Sequence, residues 1–167
     1  MTQELKDIML YICEKYPYKN ELSNARLTKL IYLSDWKNVL KNKEQISDIK
    51  WVFNHYGPFV NNIMIEANQN SEYFEVHSEV NMYGHIKQVI NNKQNLNIDF
   101  NSLITDDAQC IINSVIEKTK SKTWTQFIQY VYSTYPVLIS EKGTELNLID
   151  IEKKYRDVQL DFQENKS

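Results

Sequence analysis

Apolar residues near the N-terminus recur every three or four positions. Leu5, Ile8, Met9, Ile12, Cys13 and Tyr16 share one stripe, which predicts a helix opened by Thr2 and stopped by Pro17. Ser23 or Asn24 caps a second helix running to about Lys41. Its centre, Leu27 to Trp36, is apolar on most sides, with Leu30, Ile31, Tyr32 and Leu33 in succession, and such a helix belongs in the middle of a bundle. Ser47 and Asp48 predict the start of a third helix holding Ile49, Trp51 and Val52. It breaks at Tyr56-Gly57-Pro58, where Gly allows unusual backbone angles and Pro fixes φ. A fourth helix presents Val60, Ile63, Met64 and Ala67, and ends in the polar run Asn68 to Glu72.

The period then falls to two. Phe74, Val76, Ser78, Val80 and Met82 point one way, and Tyr73, Glu75, His77, Glu79 and Asn81 the other, the pattern of a half-buried strand. Ile86, Gln88 and Ile90 predict a second strand, and Leu96, Ile98 and Phe100, after an Asn-rich turn, a third. Helical spacing returns at Thr105, with Ala108, Ile111, Ile112, Val115 and Ile116 on the inner face. Thr123 and Gln126 have capping-box spacing before Phe127, Tyr130 and Val131, and Pro136 interrupts that helix. Leu148, Ile151, Tyr155, Val158 and Phe162 form a narrow seam suited to packing back on the chain or into a partner's groove. The expectation is an α+β, mainly α fold in one domain over residues 1–167. Helices cover about 3–68 and 105–162, a two- or three-stranded antiparallel sheet covers about 72–100, and the tail 163–167 is polar.

Composition narrows the function classes. The chain has 167 residues, 42% of them hydrophobic and 12% aromatic, enough for a real core. Three Gly and three Pro disfavour an all-β sandwich or a Gly-rich nucleotide fold. A net charge of −3 argues against bulk attraction to nucleic acid or an anionic membrane. No signal peptide or membrane span is visible. Cys13 and Cys110 both read as reduced, buried thiols, which fits a cytoplasmic location. Arginine is confined to Arg26 and Arg156 while Asn, Ile and Lys abound, a bias of AT-rich bacterial or phage genomes.

Candidate chemistry is sparse. No P-loop, dinucleotide fingerprint, G-x-S-x-G, H-E-x-x-H or EF-hand loop occurs, so no cofactor, metal or catalytic residue is assigned. His55 precedes the Tyr56-Gly57-Pro58 corner and reads as a general base, a partner contact or a residue holding the turn. Asp35, beside Trp36 in an apolar helix, reads either as a polar anchor in a groove or as part of that helix's polar stripe. His77 and Glu79 share a strand face, but two ligands do not make a metal site; His85 lies beyond the same strand. Lys37, Lys41, Lys43 and Lys50, with Trp36 and Trp51 interleaved, form a modest basic region, diluted by Glu44 and Asp48.

Leu27-Thr28-Lys29-Leu30-Ile31-Tyr32-Leu33, then Ile49-Lys50-Trp51, then Tyr56-Gly57-Pro58-Phe59-Val60 keep the order and spacing of a known pattern. It resembles the Panacea domain of the SocA-like antitoxin family. That family tends to show a later T-H then P-W signature; here Tyr132-Ser133-Thr134-Tyr135-Pro136-Val137 keeps the Pro and lacks the His and Trp, and Lys50 replaces the Ala before Trp51. The resemblance implies a non-enzymatic protein that neutralises a toxin by direct binding. Residues 22–67 match best.

On this reading Leu27, Leu30, Trp51, Gly57 and Pro58 are structural. Lys29, Tyr32, Asp35, Trp36, His55 and Tyr56 are the partner-binding candidates, with Lys29, Asp35, His55 and Tyr56 the best suited to a surface. Three alternatives remain. The scaffold could serve a phage accessory or anti-defence protein that binds a host protein. It could be a small hydrolase or transferase with a pocket near Asp35, His55 and Tyr56. It could be a regulator binding nucleic acid through Lys37 to Lys50.

Overall fold

The computed structural model describes residues 2–166. The chain runs α1 (Leu5–Lys15), α2 (Asn24–Asn42), β1 (Trp51–Asn54), β2 (Gly57–Phe59), α3 (Asn62–Gln69), β3 (Phe74–Val80), β4 (Ile86–Asn92), α4 (Asp106–Thr119), α5 (Trp124–Tyr132), α6 (Tyr135–Ile139), β5 (Glu145–Leu146) and α7 (Leu148–Glu164). The mainly helical α+β reading holds. Helix α2 is the centre, because nearly every turn of it is buried and α1, α3, α4, α7, β2 and β4 all pack on it. Ser23 caps it by accepting from Arg26 N, and Lys43 ends it in the left-handed region. Thr105 and Thr123 cap α4 and α5 as their spacing predicts, the second as a full capping box with Gln126.

Several expectations are corrected. Helix α1 begins after Glu4 rather than at Thr2. Residues 49–52 are not a helix: Ile49, Trp51 and Phe53 are buried while Lys50, Val52 and Asn54 are exposed, a period of two. This segment is β1, paired antiparallel to β2 through a two-residue turn, His55-Tyr56, and on its other edge to β5. The fold therefore holds two small sheets, a three-stranded one in the order β2-β1-β5 and the β3–β4 hairpin. β5 brings a segment from near the C-terminus to a sheet whose other strands precede α3.

The third strand expected at Leu96–Phe100 does not form. The outer edge of β4 is already occupied: Ile90 N donates to Leu22 O, and Ser23 bridges Val89. Leu96, Ile98 and Phe100 instead pack half-buried on the core as irregular chain leading into a short 3-10 turn. Pro136 does not end a helix but sits in the first turn of α6, where its missing N–H costs nothing. Cys13 is buried, its thiol pushed up to about 12 by burial, whereas Cys110 is exposed on α4.

Only the first half of the C-terminal seam packs back. Leu148 and Ile151 are buried, and the Tyr155 ring lies 4.8 Å from that of Tyr135 and 6.2 Å from that of Trp36. Beyond it Val158 and Phe162 are exposed. No described helix is long and apolar enough to cross a membrane.

Candidate functional site

The motif residues on α2 and β1 meet at Asp35, whose exposure is 0%. Its Oδ1 accepts from the backbone N–H groups of Ile46 and Ser47, both at 2.9 Å. Its Oδ2 accepts from Ser47 Oγ at 2.5 Å, Trp51 Nε1 at 2.9 Å and Gln45 Nε2 at 3.4 Å. Burial raises the carboxyl to about 6, and the hydrogen bonds from Ser47, Trp51 and Ile46 oppose that rise. A carboxylate offers about four good acceptor positions, and donors from the 45–51 loop and Trp51 occupy them. Asp35 thus ties α2 to the loop entering β1 and to the Trp51 indole. It is neither a groove anchor nor part of an exposed stripe. It is sealed while His55 stands on an exposed turn, so the two line no common open pocket.

The neighbouring motif positions also point inward. Lys29, expected at a surface, is 2% exposed, and burial lowers its ammonium to about 8. Tyr32 is fully buried; its hydroxyl lies 2.8 Å from Thr134 Oγ1, its ring meets the Trp51 ring edge-on at 5.5 Å, and burial pushes its titration upward. Leu27, Leu30 and Trp51 are buried as their structural reading requires. Of the six partner-binding candidates, only His55 and Tyr56 face solvent, Tyr56 at 81% exposure. Their turn is a shaped feature. Gly57 takes φ +93°, a conformation that favours Gly, and packs under the Tyr132 ring, whose hydroxyl donates to His55 O at 3.4 Å.

Trp36 belongs to a groove of about 610 Å³ between α2, α4, α5, α6 and α7. Tyr130, Tyr135 and Tyr155 line it with Leu33 and Leu138; Lys37 and Lys118 contribute its cations, and no carboxylate side chain is among the described residues that line it. The basic region presents no exposed tryptophan face, and two of its four lysines are paired. Trp51 is sealed and Trp36 nearly so, Lys41 pairs with Asp107 at 3.2 Å, and Lys43 pairs with Glu152 at 2.7 Å. His77 Nε2 lies 3.2 Å from Glu79 Oε1, and among the described residues no three His, Cys, Asp or Glu side chains gather as metal ligands.

Sequence reasoning did not single out Arg26 or the tip of the β3–β4 hairpin. Arg26 was detectable as one of only two arginines in the chain, set one residue before an apolar run. The tip was hidden because Met82 continued the strand's apolar face on paper.

A family model described as Antitoxin SocA-like, Panacea domain, matches residues 27–136. The match begins at Leu27 of the α2 motif and ends at Pro136 of α6, so it spans the Asp35 network, the His55-Tyr56 turn and the β3–β4 hairpin. No curated protein and no solved structure matches the chain.

Proposed function

Because the chain belongs to the SocA-like antitoxin family with its Panacea domain, we propose that it neutralises a cognate protein toxin by binding it directly. The family match carries this reading. The burial of Asp35 supports binding over catalysis: the most chemically suggestive carboxylate of the motif is committed to donors of its own chain. The partner-facing part of the motif is the His55-Tyr56 turn, with Tyr56 the large exposed side chain that can anchor an interface. Lys29, Tyr32, Asp35 and Trp36 are buried behind it; Asp35 and Tyr32 tie α2 to Trp51 of β1, Tyr32 also meets Thr134 before α6, and Trp36 packs on Tyr155 of α7.

Co-expression tests the proposal. The product of the neighbouring gene is expressed alone and with this chain, and the pair is purified through a tag on one of them. Arrested growth relieved by this chain, with the two proteins recovered as one complex, is the expected result. A harmless neighbour, or relief without a complex, overturns direct neutralisation.

A further inference from the structure

A charge without a counter-ion sits at the start of α2. Arg26 is 6% exposed, and its guanidinium carbon lies 5.3 Å from the Trp124 ring centre and 4.9 Å from that of Phe127. Its Nη1 donates to the Tyr16 hydroxyl at 3.3 Å, while Nε has no partner. None of the ion pairs among the described residues includes Arg26. Ring faces compensate a desolvated cation only partly, by about 2 kcal/mol, and a buried charge is costly without an anion. Arg26 lines a groove of about 620 Å³ whose other walls include Trp124 and Met82, Tyr83 and Ile86 of the hairpin, with Glu21 also in the lining.

The hairpin tip supplies the second observation. Met82 is 88% exposed and Tyr83 78%, with Val80 and Ile86 also standing in solvent. The tip is nonetheless shaped: Asn81 Oδ1 accepts from Tyr83 N and His85 N, Asn81 N donates to His85 O, and Gly84 takes φ +77°. Strand β4 of the hairpin is pinned to the chain before α2 by Ile90 N donating to Leu22 O and, nearer the tip, by Lys87 Nζ donating to Asn20 O. A shaped, apolar, exposed tip beside a guanidinium that has no ion-pair partner among the described residues matches a partner carrying both features in complement.

We propose that this groove docks an acidic residue of the protein partner, an Asp or Glu flanked by apolar side chains. The carboxylate pairs with the Arg26 guanidinium where it lines the groove, and the apolar flanks cover Met82, Tyr83, Ile86 and Trp124. Planar pairing of guanidinium with carboxylate makes such a contact directional as well as strong. The inference rests on the protein-binding reading above and extends its surface. Trp124, Ile128 and Tyr132 stand at i, i+4 and i+8 on α5, one helix stripe about 12 Å long. This stripe joins the Arg26 groove to the Tyr132-supported turn that displays Tyr56, so one partner of ordinary interface size spans both.

The test selects short random peptides on the intact chain. The nitrogen-15-labelled chain is then titrated with a selected peptide, with its Gln-for-Glu counterpart and with inorganic phosphate. Only Arg26 and Arg156 contribute arginine Nε–H signals, so the readout is residue-specific. Selected peptides are expected to share an acidic residue among apolar ones and to shift the Arg26 signal while leaving Arg156 in place. They should bind roughly tenfold more tightly than the Gln counterpart. The double substitution Met82→Ser with Tyr83→Ser, at exposed positions where folding is untouched, should weaken them comparably.

Failure to select peptides, selected peptides without an acid, an unmoved Arg26 signal or an equally tight Gln counterpart each overturns the inference. So does phosphate moving Arg26 where peptides do not, which marks a small-anion site. The two readings separate in the co-expression assay. Full toxin relief by the Met82→Ser, Tyr83→Ser variant removes the groove from the interface and leaves neutralisation standing. Acid-dependent peptide binding without relief by the unaltered chain leaves the groove standing and removes the toxin.

Discussion

At the scale of single residues, the motif's polar members act on the chain itself. Every hydrogen bond of the Asp35 carboxylate among the described residues is one that it accepts, from Gln45, Ile46, Ser47 and Trp51. Asp35→Asn keeps the shape and turns one acceptor into a donor facing donors. It should cost about 2–4 kcal/mol of stability, seen as a lower urea midpoint with an unchanged m-value. Lys29 tests the opposite sign. Its folded-state value, about 8, lies below the ordinary 10.5, so between these pH values the unfolded chain holds a proton that the folded chain has released. Stability therefore rises with pH across that window, by up to about 3 kcal/mol from this group. Lys29→Met should stabilise the protein at pH 7 by about 1–3 kcal/mol, and the gain should shrink as pH passes from 8 to 10.5. Denaturation of both proteins at a series of pH values checks it; a gain that grows with pH contradicts the assigned burial. Sequence alone showed that Asp35 and Lys29 sit in an apolar helix. It could not show that loop 45–51 closes over Asp35, because those donors are backbone and side-chain groups brought in by tertiary folding.

At the scale of elements, helices with clear periods and caps were legible. α2, α4 and α5 follow from Ser23, Thr105 and Thr123 and from runs of residues at three- and four-residue spacing. β1 was not, since a segment of four residues fits either period and Ser47-Asp48 looks like a helix cap; Ser47 instead gives its hydroxyl to Asp35. β5, two residues long, becomes a strand only by pairing with β1. Helix α7 shows a division that periodicity could not, with its seam covered up to Tyr155 and open beyond it. Ending the chain at Asp157 should shift the stability by less than about 0.5 kcal/mol, whereas Ile151→Ala should cost about 2–4 kcal/mol. Thermal and urea unfolding of the two variants distinguish these outcomes; a large loss on truncation would mean the distal turns pack on the chain after all.

At the scale of the whole molecule, α2 fixes a scaffold whose exposed features lie at its periphery: the His55-Tyr56 turn and the β3–β4 tip. The family resemblance in the sequence located the scaffold correctly. The surface was less legible, because Lys29, Tyr32, Asp35 and Trp36 are buried by elements distant in the chain, and of the six candidates His55 and Tyr56 alone stand exposed. Tyr56→Ala should leave the unfolding midpoint nearly unchanged and weaken toxin binding by roughly tenfold or more, as isothermal titration would show. The most direct measurement titrates purified toxin with purified chain while following the toxin's activity. Neutralisation by binding predicts that activity falls in proportion to the chain added and reaches zero at a fixed molar ratio, with the complex eluting as one species. Abolition of activity by a small fraction of an equivalent, with no complex formed, would contradict it and make the chain a catalyst.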